Sequence, residues 1–276
     1  MDSITIKGNQ FFNQYCQIDF PEANACSNIL IENNTFTGST NVNVSNTLIR
    51  FSNVVNALNV KNIIIKNNEF KNGVTAILPA RATLDSLVIE NNTFTRQSTQ
   101  GIYIANTVSG TQISGNTFYD MPANGISINA NAVNTQIKNN AFKKFDAAST
   151  GSSTYISLLP SPNYAAVNIT AANTNTVISN NIFDSIKATA VFVQQLNAVS
   201  SVTVADNLFT NAKYYNNAAV KNVIWFYVND NVTVANAFSH KITGNRIYYD
   251  SSSKSYGINI TVSNGYQYVI FQKSRS

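Results

Sequence analysis

Along many short segments of the chain, apolar residues recur at every second position. The alternation is clear in Leu87–Ile89, Ile102–Ile104, Ile126–Ile128, Val191–Val193 and Ile258–Ile260. This two-residue period predicts β-strands that bury one face. No long segment shows the 3.6-residue period of an amphipathic helix. The hydrophobic pattern therefore predicts an all-β protein.

A six-residue phrase, of the type Ile-x-Asn-Asn-x-Phe, occurs nine times. Its copies are Ile6–Phe11, Ile31–Phe36, Ile65–Phe70, Ile89–Phe94, Ile113–Phe118, Ile137–Phe142, Ile178–Phe183, Val204–Phe209 and Ile242–Ile247. The fourth residue is always asparagine: Asn9, Asn34, Asn68, Asn92, Asn116, Asn140, Asn181, Asn207 and Asn245. Five of the eight intervals between these asparagines are 24 to 26 residues long, and the other three are longer. A unit of this length predicts a solenoid.

Each unit contains three short strands separated by turns. One unit holds "GIYI" (Gly101–Ile104), "TQIS" (Thr111–Ser114), a Gly-Asn turn and a strand around Phe118. Three strands in a unit of this length describe one rung of a single-stranded parallel β-helix. Nine rungs at about 4.8 Å each give a core roughly 40 Å long. We predict one such domain over residues 1–276, with insertions near Val42–Asn62, Lys143–Ala166 and Asn211–Lys241.

The repeated turn has a physical explanation. The residue before each repeated asparagine is Gly, Asn or Asp, and these residues tolerate the left-handed αL conformation. We expect the asparagine that follows to stack on its counterparts in an Asn ladder, because its amide both donates and accepts hydrogen bonds. The phenylalanines from Phe11 to Phe209 should stack inside. Lys7, Glu32, Lys66 and Glu90 should alternate in charge along the outside, and neighbours should pair.

The Gly/Asn-Asn-x-Phe turns and the strands Gly101–Ile104 and Gly125–Ile128 resemble those of the pectate-lyase-like superfamily. The resemblance extends from Ile4 to about Phe271 and implies a right-handed parallel β-helix. That superfamily includes polysaccharide lyases, pectin hydrolases and esterases, phage tailspikes, adhesins and non-catalytic surface proteins, so the fold alone does not select an activity. The resemblance also implies that polysaccharide lies across the outer face of the "GIYI"-type strands. The residues expected to face outward there are Asp19, Arg50, Tyr103, Ser127, Asn168, Phe192, Trp225, Tyr227 and Asn259.

This face offers few residues for catalysis. Pectin hydrolysis needs paired carboxylates, and the family's Asp-Asp and Gly-His-Gly signatures are absent. A Ca²⁺-dependent lyase needs several carboxylates and a basic residue. Its weak candidates are Arg50, Asp19 and Tyr103, and the Asp–Arg pair is more often a salt bridge. His240, the single histidine, is expected at the surface without a catalytic role.

Aromatic and amide side chains are the stronger signal on this face. Tyr103, Asn168, Phe192, Trp225 and Tyr227 are the predicted carbohydrate-binding residues. Aromatic rings suit the apolar faces of sugars, and amides suit their hydroxyl groups. The alternative is that the rings pack against the insertions as a satellite cluster. The sequence leaves both interpretations open.

Charge and cysteine content restrict the class of partner and the state of the thiols only slightly. The formal net charge of +5 favours acidic partners slightly. The cations are scattered, with only Lys143 and Lys144 adjacent, which excludes a nucleic-acid-binding arm. No apolar run is long enough to span a membrane. Cys16 and Cys26 suit either a disulfide or two buried thiols.

We therefore expect an extracellular or cell-surface β-helix that binds polysaccharide or surface glycan, without a cofactor or a catalytic centre. The alternatives are a polysaccharide lyase, the only case that allows a Ca²⁺ cofactor, and a structural adhesin, spike or filament module. No signal peptide and no capping helix are evident in the sequence. Uncapped β-helix ends favour pairing, so we expect either adjoining domains of a longer chain or end-to-end self-association.

Overall fold

The computed structural model describes most of the chain. The described residues are 3–13, 15–20, 26–41, 46–51, 59–80, 83–145, 165–187, 189–195, 200–212, 221–228, 239–249 and 255–262. They form thirty β-strands and no helix, so within them no helical segment could cross a bilayer. Much of the three predicted insertions lies outside these residues.

The strands form three sheets whose pairings are parallel. The first sheet contains β1 (Ile4–Lys7), β4 (Ser27–Glu32), β7 (Asn59–Lys66), β10 (Thr83–Glu90), β14 (Gln112–Ser114), β18 (Gln136–Lys138), β22 (Thr176–Ser179), β25 (Val202–Ala205) and β28 (Lys241–Thr243), joined by the short strands β13 (Val108–Ser109), β17 (Ala132–Val133) and β21 (Asn173–Thr174). The second contains β2 (Gln10–Phe12), β5 (Thr35–Thr37), β8 (Glu69–Lys71), β11 (Thr93–Thr95), β15 (Thr117–Tyr119), β19 (Ala141–Phe145), β23 (Ile182–Ile186), β26 (Leu208–Ala212) and β29 (Arg246–Tyr249). The third contains β3 (Cys16–Phe20), β6 (Thr47–Phe51), β9 (Thr75–Pro79), β12 (Gln100–Ile104), β16 (Asn124–Ile128), β20 (Ala165–Ile169), β24 (Thr189–Gln195), β27 (Lys221–Val228) and β30 (Ser255–Val262). One strand from each sheet makes one rung, which confirms the predicted nine-rung solenoid.

The corner between the first and second sheets carries the predicted Asn ladder. The nine residues before the ladder asparagines all have positive φ, between 54° and 71°. Each ladder asparagine but the last donates its backbone N–H to the side-chain oxygen of the next, at 2.9 to 3.0 Å. The side-chain amides repeat the same step at 2.9 to 3.1 Å. The recurring asparagine is therefore an architectural residue.

A stack of phenylalanine rings runs beside the ladder inside the solenoid. Eight rings from Phe11 to Phe209 follow one another with centroids 4.6 to 4.9 Å apart and nearly parallel planes. Small residues of the third sheet face these rings. A Cβ atom added to Gly125 would lie 2.9 Å from the carbonyl oxygen of Ala166 and 3.0 Å from the ring of Phe142. The glycine is thus required by close packing and not by its backbone angles.

The outer charges pair over part of the predicted series. Lys7 Nζ lies 3.2 Å from a carboxylate oxygen of Glu32, and Lys66 Nζ lies 3.9 Å from the other. Glu90 makes no ion pair within the described part of the chain. The predicted charge alternation is therefore limited to Lys7 and Lys66, which share the carboxylate of Glu32.

No disulfide joins Cys16 and Cys26 in this structure, where Cys26 is buried and Cys16 is partly buried. Burial, reinforced by the nearby Asp19 carboxylate, raises the pKa of the Cys16 thiol to about 11. His240, which was expected at the surface, is only partly exposed. Its Nδ1 accepts a hydrogen bond from the backbone N–H of Val202 at 3.2 Å, and its ring lies 5.0 Å from that of Phe226. Burial lowers the pKa of His240 to about 4, so the ring is neutral at pH 7.

Candidate functional site

The third sheet aligns the predicted outward residues in one column. Strand pairing joins them in the order Asp19, Arg50, Leu78, Tyr103, Ser127, Asn168, Phe192, Trp225 and Asn259. We call this set the third-sheet column. Tyr227 lies two residues after Trp225 on the same strand and the same side. Leu78 was not among the predicted outward residues, because the units around it are irregular in length.

The first rungs of the third-sheet column hold an ion pair. The Nε of Arg50 donates to one carboxylate oxygen of Asp19 at 3.1 Å, and its Nη2 donates to the other. The hydrogen bonds with Asp19 raise the pKa of Arg50 further, so this guanidinium cannot serve as a base. Tyr103 lies two rungs away, at about 10 Å. The structure therefore does not bring the three weak catalytic candidates together.

The middle of the third-sheet column is closed to solvent. Ser127 and Asn168 are each 4 % exposed and Phe192 is 3 % exposed. The ring of Phe192 packs edge-on against that of Trp225, with centroids 5.2 Å apart. Phe192 and Asn168 were predicted to bind carbohydrate, with packing as the alternative for the rings, and both side chains are covered. Partial exposure is retained by Tyr103 on one side of the closed segment and by Trp225 and Tyr227 on the other.

A hydrogen-bonded row extends from Tyr103 across three rungs. The side-chain amide of Asn129 donates to the Tyr103 hydroxyl at 3.4 Å, and the Thr170 hydroxyl donates to the Asn129 oxygen at 3.0 Å. Asn129 is exposed, and the other two side chains are partly exposed. We call these residues the Tyr103 row. Asn129 and Thr170 were not among the predicted residues, although each directly follows the last apolar residue of a third-sheet strand.

A groove of about 570 Å³ lies at a second corner of the solenoid, where strands of the second sheet end. Its lining consists of Ser39, Thr40, Asn72, Gly73, Arg96, Ser98, Asp120, Met121, Pro122 and Lys144. Four non-glycine residues of this lining, on four successive rungs, have positive φ: Asn72, Arg96, Asp120 and Lys144. We call this the second-corner groove.

Three charged side chains meet in the second-corner groove. Arg96 Nε lies 2.6 Å from one carboxylate oxygen of Asp120, and Lys144 Nζ lies 2.9 Å from the other. Hydrogen bonding from Lys144, then from Arg96, lowers the pKa of Asp120, which keeps the carboxylate ionised. Lys144 also lies 5.6 Å from the ring centroid of Tyr119, which is 43 % exposed.

No group of three or more histidine, cysteine or acidic side chains suited to a metal ion occurs among the residues that the structure describes. The carboxylates of Asp19 and Asp120 each face cationic side chains. Neither carboxylate belongs to the oxygen-rich cluster that Ca²⁺ requires.

Comparison with known families identifies the family to which this architecture belongs. A family model described as "Right handed beta helix region" matches residues 2–158 and 86–238. The chain belongs to the right-handed β-helix family. A solved structure of the Streptococcus pneumoniae surface protein and adhesin PfbA matches this right-handed β-helix with a TM-score of 0.51 and 16 % identity, over 95 % of this chain and 67 % of that one. At this identity the likeness shows the fold alone, and a search of curated proteins by sequence gives no match.

Proposed function

We propose that this right-handed β-helix is a surface protein that binds carbohydrate and has no catalytic centre of its own. The Tyr103 row is the observation that carries the proposal. It combines a partly exposed aromatic ring with an amide and a hydroxyl group that are already linked on successive rungs. An apolar ring face next to fixed donors and acceptors suits a sugar, which has apolar C–H faces and hydroxyl edges.

The chemistry of the third-sheet column supports binding over catalysis. Arg50 is engaged by Asp19, and its raised pKa opposes a role as base. Among the described residues, no second carboxylate of this column stands near Asp19 to complete a pair. General acid–base cleavage of a glycosidic bond needs two such groups.

The surface location is supported by the description of PfbA as a surface protein and adhesin. That description applies to a protein of 16 % identity, so for this chain the location is part of the proposal. The expected partner is a polysaccharide or a surface glycan.

A glycan-binding screen followed by calorimetry tests the proposal. Tyr103→Ala should weaken binding of the best glycan about tenfold, the effect of an aromatic contact of about 1.5 kcal/mol. Tyr248→Ala is the matched control, because Tyr248 is a 56 % exposed tyrosine on the second sheet. The proposal is wrong if no glycan binds, or if both variants lose affinity equally. It is also wrong if uronate polysaccharides give unsaturated, ultraviolet-absorbing products that disappear in Arg50→Ala.

A further inference from the structure

We propose that the second-corner groove binds the anionic group, carboxylate or sulfate, of an acidic glycan. This inference rests on the proposed carbohydrate-binding function and adds a second, charge-selective site on a different face of the solenoid. The groove borders strands β5 to β19 of the second sheet, whereas the Tyr103 row belongs to the third sheet. The two sites can therefore be disrupted separately.

The residue types at the second corner are the first argument. At the ladder corner, every residue with positive φ is Gly, Asn or Asp. At the second corner, Arg96 has a φ of 59° and Lys144 a φ of 56°. This conformation disfavours L-residues with long side chains. Strained residues of this kind concentrate at binding sites, where the surroundings maintain them. Arg96 and Lys144 thus occupy corner positions at which the backbone conformation favours asparagine or glycine.

The arrangement of charges is the second argument. Asp120 contacts one cation with each carboxylate oxygen, and its side chain is only 16 % exposed. Arg96 is 65 % exposed and Lys144 is 56 % exposed. Within the described residues, Arg96 uses only its Nε in a hydrogen bond. Both Nη groups therefore remain for a ligand. One carboxylate fixes two cations and leaves a local excess of one positive charge.

The surroundings fit an acidic sugar. A guanidinium presents donors with the spacing of a carboxylate or sulfate, and Lys144 adds a second charge. Hydroxyl groups of Ser39 and Ser98 line the same groove, and the partly exposed ring of Tyr119 borders Lys144. The volume of about 570 Å³ lies within the range of small-ligand sites.

The test compares three tetrasaccharides by calorimetry at low salt. These are a uronate tetrasaccharide, its carboxyl-reduced neutral form, and a sulfated form of that neutral sugar. The variant is Arg96→Asn with Lys144→Asn, because asparagine tolerates positive φ at both positions. The control is Lys61→Asn with Lys138→Asn, which removes the same charge from the first sheet. Circular dichroism checks folding, and the single Arg96→Asn variant provides a milder second test.

We expect the groove variant to bind the acidic ligand at least about tenfold more weakly, because it loses hydrogen bonds to charged groups. Neutral binding and the control should change less than about twofold. Whichever of the two acidic ligands binds more tightly identifies the preferred anion as carboxylate or sulfate. The inference is overturned if the groove variant retains acidic binding, or if the control loses as much. If Tyr103→Ala still weakens binding of the neutral saccharide about tenfold, only this inference fails. If no saccharide binds the native chain, the proposed function fails with it.

Discussion

Truncating one ladder asparagine should destabilise the whole solenoid. The side-chain amide of Asn116 donates to the carbonyl oxygens of Ile89 and Ser114 and to the side-chain oxygen of Asn140, at 2.8 to 3.1 Å. Its own side-chain oxygen accepts from the backbone and side-chain nitrogens of Asn92, at 2.9 and 3.0 Å. Asn116→Ala removes all five contacts in a site that is 1 % exposed.

The expected cost follows from that count. The side-chain nitrogen of Asn116 has two hydrogens, so its three contacts amount to two hydrogen bonds, and the oxygen accepts two more. A buried hydrogen bond contributes about 1 kcal/mol net, so four bonds give a loss of about 4 kcal/mol. The Asn92 N–H loses its acceptor without access to water, which places the value at the upper end. Asn116→Asp keeps the shape but turns an acceptor toward three oxygen atoms. We expect it to cost at least as much at pH 7.

Urea unfolding followed by circular dichroism measures the loss, as the free energy of unfolding extrapolated to water. Asn9→Ala is the matched control. Asn9 is exposed, and its side chain donates only to Lys7 O and Asn34 Oδ1, at 3.1 Å each. Because water can replace these bonds, the control should lose about 1 kcal/mol. Equal losses in the Asn116→Ala and Asn9→Ala variants would refute the claim that buried amide stacking stabilises the solenoid.

Three further predictions concern other parts of the molecule. His240 has a pKa of about 4 in the folded protein against about 6.5 unfolded, so the unfolded state binds more protons between these values. Stability should fall by about 2–3 kcal/mol as pH drops from 7 to 4, and urea midpoints of His240→Gln should lack this component. Gly125→Ala should cost about 1–3 kcal/mol in the same assay, because the new Cβ would meet the Ala166 carbonyl oxygen at 2.9 Å. Arg50→Gln should change stability by less than about 1 kcal/mol, since its ion pair with Asp19 is partly exposed; a larger loss would contradict this.

The architecture was predictable because its determinants are local in sequence. Asn91 supplies the αL conformation, Asn92 the amide and Phe94 the stacked ring, all within four residues. Nine copies of that phrase fix the register of every rung. The third-sheet column followed from the same register, so Tyr103 and Trp225 were placed correctly in line. Burial of Phe192 did not follow, because it depends on packing that the repeat does not encode.

The second-corner groove escaped prediction for a different reason. Arg96, Asp120 and Lys144 share no residue type, so no motif marks them. They are separated by 24 residues each, the length of one unit, and parallel pairing therefore brings them within contact on adjacent rungs. Arginine and lysine are also not expected at positive φ. Scanning each corner position along the repeat for complementary charges would have found the groove.

The residues that stabilise the solenoid and those proposed to bind glycan lie on different sides of the chain. The buried amides and rings stabilise the rungs. A substitution such as Asn116→Ala therefore lowers the stability of the whole solenoid, and with it any function that depends on the fold. Arg96 and Lys144 point into solvent and contribute nothing to the phenylalanine stack. Replacing them with asparagine should relieve backbone strain while it removes charge. A loss of acidic-glycan binding in a variant that is equally stable, or more stable, could then be assigned to recognition alone. This separation also explains why the fold does not indicate the ligand: the repeat constrains inward positions and leaves outward ones to vary.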